Sequence, residues 1–165
     1  MKDITGTTKT CALIGNPTEH SLSPTIHNSI SFMTQNDMAY TTFCVEKDDL
    51  GDAVKGAYAL GIQGMNVTVP HKENVMEHLV EIDPIAEAVG AVNTLIRVDG
   101  GFKGANTDLL GFARSLKEAG FDVKGKPACI LGADIVALDQ VIPACSLISC
   151  QCSVCFVVQL VKLIT

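Results

Sequence analysis

Positive charge is in short supply in this 165-residue chain: 12 Lys and Arg stand against 18 Asp and Glu, giving a net charge of −6. That balance argues against nucleic acid as a partner, because phosphate binding rests on a basic surface. An anionic ligand would have to be held by local donors rather than by the overall field. The first ten residues lack an apolar run and carry Lys2, Asp3 and Lys9, so nothing in them reads as a secretory signal. Residues 1–133 contain neither an internal repeat nor a low-complexity linker. A chain of this length can build one domain with a sizeable core, but hardly two complete ones. Cysteine is not scarce, yet its seven copies are an odd number, and four of them cluster at Cys145, Cys150, Cys152 and Cys155. Cys11, Cys44 and Cys129 fall in strand-like segments. Free buried thiols in a reducing cytoplasm fit that distribution better than a disulfide scaffold.

What the chain does have is alternation of strand and helix patterns. Thr10 to Gly15 reads as a buried strand, Ser23 to Gln35 as a helix, Tyr40 to Val45 as a strand and Lys47 to Ala59 as a helix stopped by Gly61. Gly64 to Val69 is a third strand, and helices are expected over His71 to Val80 and over Pro84 to Val89, the second opened by Asp83. Ala91 to Val98 and Phe102 to Gly104 read as a hairpin around Asp99-Gly100-Gly101. Leu109 to Ala119 is an amphipathic helix and Lys126 to Leu131 a further strand. This order predicts an α/β fold, a three-layer and mainly parallel sheet flanked by helices. Ile30, Phe32 and Met33 are expected in the core, as are Phe43, Val45 and Leu60.

The stretch with most chemistry is Asn66-Val67-Thr68-Val69-Pro70-His71-Lys72. Asn66 and Thr68 share one face of the strand, and Pro70 ends the pairing and leaves Lys72 on the exit turn. Ligands of α/β sheets sit at such strand ends, where a lysine beside neutral hydrogen-bonding groups suits a small polar substrate and proton transfer. A solvated lysine after an ordinary strand is the alternative. Ser21 and Ser23 lie at the start of a helix, where hydroxyls and free N–H groups make a seat for a carboxylate. Ser23 as a plain helix cap, with Pro24 after it, explains the same residues. Asn93-Thr94 and Asn106-Thr107-Asp108 place further polar groups at element junctions, although Asp108 could serve only as the N-cap of the next helix. His71 and His78, seven residues apart on one predicted helix, are too far from each other for one metal ion and fit a solvated face better. His20 and His27 read as loop and helix-surface residues.

Over residues 10 to 133 the chain resembles the shikimate dehydrogenase family. The resemblance rests on Gly15-Asn16-Pro17, His20-Ser21-Leu22-Ser23-Pro24, His27-Asn28, Asn66 to Lys72, Gly90-Ala91-Val92-Asn93-Thr94 and Gly104-Ala105-Asn106-Thr107-Asp108, in that order. It implies a small-molecule substrate, shikimate or 3-dehydroshikimate, with NADP as cofactor. Ser21 and Ser23 would hydrogen-bond the substrate carboxylate, while Asn66, Thr68, Asn93 and Asp108 would hold the ring hydroxyls and the reacting oxygen. Lys72 and Asp108 would be the catalytic pair, the lysine handling the proton of the C3 hydroxyl as hydride passes to or from NADP. Reduction of a ketone builds negative charge on its oxygen, so a cationic donor lowers the barrier, and a carboxylate orients that donor. A relative that prefers quinate is a narrower alternative.

A second and a third glycine are missing where the resemblance requires them. Ala128-Cys129-Ile130-Leu131-Gly132-Ala133 begins a strand and a cofactor turn, of which Gly132 and Ala133 are the remnant. Asp134-Ile135-Val136-Ala137 follows, placing negative charge and bulk where backbone should approach a pyrophosphate. The expected organisation is therefore a substrate domain over 1–108, a connecting helix and first strand of an incomplete Rossmann-like segment over 109–133, and an apolar, Cys-rich tail over 134–165. A truncation or frame change near Ala133 explains that tail. A membrane span over Gln140 to Val161 is disfavoured by Pro143 and several Ser and Gln residues. A zinc site at Cys150, Cys152 and Cys155 is disfavoured by its spacing. Two readings follow: an NADP-dependent shikimate dehydrogenase, catalytically incomplete in this chain, or a non-catalytic shikimate-binding fragment.

Overall fold

A computed structural model describes residues 3–121 of the chain. Two compact units share them, one formed by residues 3–87 with Ala91–Asn106 and the other by Ala88–Gly90 with residues 107–121. The strand predicted over Lys126 to Leu131, the glycine turn and the Cys-rich tail lie outside the described residues.

The first unit is built on a six-stranded sheet. Its strands are β1 (Lys9–Gly15), β2 (Met38–Cys44), β3 (Gly64–Val67), β4 (Glu81–Ile82), β5 (Thr94–Val98) and β6 (Gly101–Ala105), in the order β2-β1-β3-β5-β6-β4. β1 pairs in parallel with β2 and β3, and β4 with β6, whereas β3–β5 and β5–β6 are antiparallel. The predicted hairpin supplies the antiparallel part. Helices α1 (Ser23–Met33), α2 (Leu50–Ala59) and α3 (Pro84–Val89) connect the strands. Asp83 opens α3 as expected, its Oδ1 accepting the Ile85 N–H at 2.9 Å. Gly61, at φ +78°, takes the left-handed conformation that lets the chain turn off the end of α2.

Strand parity sorts the sheet into two faces. Ala12, Ile14, Met65 and Val67 point to one side and join Leu50, Val54, Ala57, Leu95 and Phe102 in the hydrophobic core. The register Cys11↔Tyr40 and Leu13↔Asn66 puts those four side chains on the other face. That second face carries the polar groups considered below, and α1 is fastened to it: Asn28 Nδ2 donates to the Tyr40 carbonyl at 2.9 Å and Asn28 Oδ1 accepts the Tyr40 N–H at 2.8 Å.

Several expectations need correction. No α-helix spans His71 to Val80; a 3-10 helix covers Asn74–His78 and the short strand β4 follows it. The reason is His71, which is not on a solvated face but fully buried, with Nε2 2.8 Å from the Val45 carbonyl. Drawing that ring inward holds residues 68–73 in turns, with the His71 N–H on the Thr68 carbonyl at 3.0 Å. Ile30, Phe32 and Met33 are exposed rather than core, because α1 turns polar Ser31 inward, its Oγ donating to the Asn36 and Met38 carbonyls. Val45 is buried as expected, but Phe43 and Leu60 are exposed. Cys44, expected as a buried thiol, is also exposed, and Cys11 is half-buried.

The second unit contributes helix α4 (Asp108–Glu118). Thr107, not Asp108, occupies its N-cap, so Asp108 stands in the first turn, where a carboxylate complements the helix dipole. Among the described residues no helix is long and apolar enough to cross a membrane.

Candidate substrate site

The polar face of the sheet is assembled at the ends of β1 and β3. Gly15 closes β1 under the segment that follows β3, and a Cβ on Gly15 would collide with Thr68 Cγ2. Only glycine lets these two chain ends approach so closely. The Asn16 N–H donates to the Val69 carbonyl at 3.0 Å, and the Thr68 N–H to the Ile14 carbonyl at 2.9 Å. Two cis peptide bonds, Asn16–Pro17 and Val69–Pro70, stand side by side here.

Asn66 is half-buried on β3, opposite Leu13 on β1 and Thr94 on β5. Its Oδ1 accepts the Tyr40 hydroxyl at 2.7 Å, and its Nδ2 lies 3.5 Å from the Asn93 carbonyl. The same carbonyl accepts the Val67 N–H at 2.8 Å, and Asn93 Oδ1 accepts the Thr94 hydroxyl at 2.8 Å. Asn66 and Asn93 are thus neighbours across the β3–β5 pairing. Lys72 is half-buried on the exit turn, and its carbonyl accepts the Val92 N–H at 2.8 Å, which fixes its backbone beside Asn93. Thr68 is half-buried between Gly15 and this turn.

Ser21 and Ser23 are both half-buried at the start of α1. The cap is Leu22, not Ser23, and Ser21 Oγ accepts the Ser23 N–H at 3.2 Å. Ser23 is therefore free of the capping role, and it lies close enough to Tyr40 to influence its phenol. Tyr40 is buried at 6 % exposure, and burial is the main reason its phenol is pushed up to about 12, with the thiolate form of Cys11 adding to the rise and the Ser23 hydrogen bond opposing it.

The first unit thus gathers Ser23, Asn66 and Asn93, with Lys72 and Thr68 on the adjoining turn. Asp108 is half-buried at the opening of α4 in the second unit. Gly132 and Ala133 lie outside the described residues. Three residues at the site were not singled out for function in the sequence: Tyr40, His27, whose ring stacks on Tyr40 at 4.2 Å between centroids, and Asn28, which clamps the Tyr40 backbone. The signal that could have found Tyr40 is its place on the same face as Asn66, which needs the strand register. Apart from this site, a depression of about 370 Å³ is lined by Lys47, Asp48, Asn74, Glu77 and His78, none of them a candidate substrate residue. No group of metal-ligating side chains occurs among the described residues.

A face of hydroxyls and amides with one lysine is suited to an uncharged polyol ring bearing a carboxylate. The family model for the shikimate dehydrogenase substrate binding domain matches residues 13–95. A shikimate dehydrogenase (NADP(+)) of Moorella thermoacetica is 48% identical over 133 residues, covering 81% of this chain and 45% of that protein. Its counterpart in Caldanaerobacter subterraneus subsp. tengcongensis is 52% identical over 79% of this chain and 46% of the relative. The crystal structure of shikimate 5-dehydrogenase from Listeria monocytogenes in complex with shikimate and NAD superposes with a TM-score of 0.74 at 43% identity, over 81% of this chain and 46% of that one. The chain thus spans about half the length of the relatives it matches. With more than half of its residues matched by the family model and its sheet superposing on that of a shikimate-bound enzyme, the chain belongs to the shikimate dehydrogenase substrate-binding-domain family.

Proposed function

We propose that residues 1–108 form the shikimate-binding half of an NADP-dependent shikimate dehydrogenase, the enzyme that reduces 3-dehydroshikimate in the shikimate pathway. The observation that carries this reading is the meeting of Asn66, Asn93 and Tyr40 on one sheet face, beside the turn that bears Lys72. Ser21 and Ser23 would take the carboxylate, and Asn66, Thr68, Asn93 and Asp108 the ring oxygens. Lys72 would deliver or accept the proton on the C3 oxygen. An ammonium within reach of that oxygen stabilises the charge that develops there. The anionic substrate is then held by local donors in a chain whose net charge is −6.

The relatives are named as NADP(+) enzymes. In this chain the remnant Gly132 and Ala133 are followed by Asp134-Ile135-Val136, a charge and bulk that do not fit a dinucleotide phosphate turn. No hydride step is assigned to this chain, and that misfit favours a second reading, shikimate binding without turnover.

Calorimetric titration with shikimate, together with an assay of shikimate-dependent NADP reduction, tests both. Binding in the micromolar to millimolar range is expected, weakened roughly threefold to tenfold by Ser21→Ala or Ser23→Ala through the lost hydrogen bond. Turnover abolished by Lys72→Ala would make the chain an enzyme; binding with no turnover would make it a substrate-binding module. A folded chain that binds no shikimate would refute the proposal.

A further inference from the structure

Asparagine presents two different ends to a ligand, and which end faces the site decides what it can recognise. At Asn66 one neighbour, the Asn93 carbonyl, sets the orientation, and the Tyr40 hydroxyl, able to donate or accept, completes it as a donor. The Tyr40 hydroxyl lies 2.7 Å from Oδ1, and among the described residues the hydrogen-bond partner of Nδ2 is a carbonyl, that of Asn93 at 3.5 Å, which can accept but not donate. The contact to Asn93 is long enough to leave the amide hydrogens available, whereas the short bond from Tyr40 occupies the oxygen. Tyr40 is itself held from three sides. Asn28 pairs with both backbone groups of Tyr40, the His27 ring stacks on its phenol within 11° of parallel, and Cys11 stands beside it in the β1–β2 register. Neighbouring strands are about 5 Å apart, so from β2 the phenol must cross β1 entirely to reach Asn66 on β3.

We infer that Tyr40 is a positioning and specificity-determining residue: anchored by His27 and Asn28, it fixes the amide of Asn66 with nitrogen toward the site, so that Asn66 reads a ligand oxygen as a donor only. Ser23 lies beside the same phenol. A ring hydroxyl held by Asn66 must accept there, and its own proton must go to a separate acceptor. The inference rests on shikimate as the ligand for its effect on affinity, but the orientation of the amide does not depend on any ligand.

The test is a double-mutant cycle on the full 165-residue chain, with Tyr40→Phe, Asn66→Ala and the double variant titrated with shikimate. Tyr40→Phe is expected to weaken binding roughly threefold to tenfold. In the Asn66→Ala background the same change should cost less than twofold, because there is no amide left to orient. A purely structural role for Tyr40 would weaken binding equally in both backgrounds, and that outcome overturns the inference. The second readout is the side-chain amide of Asn66 in the NMR spectrum of the ligand-free protein. Its two proton resonances should shift on Tyr40→Phe while the backbone spectrum is otherwise retained. If the wild-type chain binds no shikimate, the functional proposal fails and the amide resonances alone decide: an unshifted pair overturns the inference, a shifted pair supports it.

Discussion

His71 shows how a residue beside the site serves it without belonging to it. Its neighbour Lys72 is the sequence's conspicuous feature, yet the histidine sets where the turn runs, being fully buried with Nε2 on the Val45 carbonyl and Nδ1 without a hydrogen-bond partner. With that geometry the proton sits on Nε2, which donates to the carbonyl. His71→Ala would leave a cavity and an orphaned buried carbonyl, and is expected to destabilise the fold by roughly 2–4 kcal/mol. Urea denaturation of the purified variant measures this directly; a loss below 0.5 kcal/mol, the range ordinary for a surface position, would contradict it. At this scale the sequence was uneven in what it disclosed. Ser21, Ser23, Asn66, Thr68 and Lys72 stand in short motifs whose chemistry is local, so they could be named without a fold. Tyr40 and His71 act through groups 26 residues away in each case, Tyr40 through Asn66 and His71 through Val45, and no local pattern encodes such a distance.

Among the elements, those fixed by periodicity and turn chemistry were legible: β1, β2, β3, α2, α3, the hairpin and α4 fall where apolar spacing, proline and glycine put them. β4 has only two residues, too few for any alternation to register. The helix expected over His71 to Val80 was misjudged as an element, whereas α1 stands where expected and only its apolar residues, read as core, were misplaced. Its contact with the sheet is made by polar groups, Asn28 on the β2 backbone and Ser31 on the carbonyls of residues 36 and 38, while Met33 is 80 % exposed. A helix docked by side-chain-to-backbone bonds tolerates change on its outer surface. Met33→Lys is therefore expected to alter stability by no more than about 0.5 kcal/mol, against roughly 2–5 kcal/mol for Leu95→Ala in the core. Paired thermal melts of the two variants check the contrast, and a Met33→Lys loss comparable to that of Leu95→Ala would place Met33 in a packed environment after all.

For the molecule as a whole, the buried phenol ties stability to alkaline pH. An unfolded tyrosine gives up its proton near 10, while Tyr40 in the folded chain holds it until about 12, chiefly because burial disfavours the phenolate. Between those values the folded state binds a proton that the unfolded state has shed, so stability falls as pH rises through the window. The loss attributable to Tyr40 is roughly 2 kcal/mol across it. Denaturation midpoints at pH 9.5 and 11.5 should therefore diverge more for the wild type than for Tyr40→Phe, and equal divergence would remove Tyr40 as the source.

The close approach of Gly15 to Thr68 has a consequence for genetics. Gly15 carries no functional side chain, yet any side chain there must displace Thr68 from beside the turn that bears Lys72. A selection for cells unable to use this protein would return substitutions at Gly15 together with those at Lys72, and the two would look alike on a plate. Only the ratio of soluble protein to bound ligand would separate them, the first allele having lost the shape of the site and the second, under the function proposed above, its lysine.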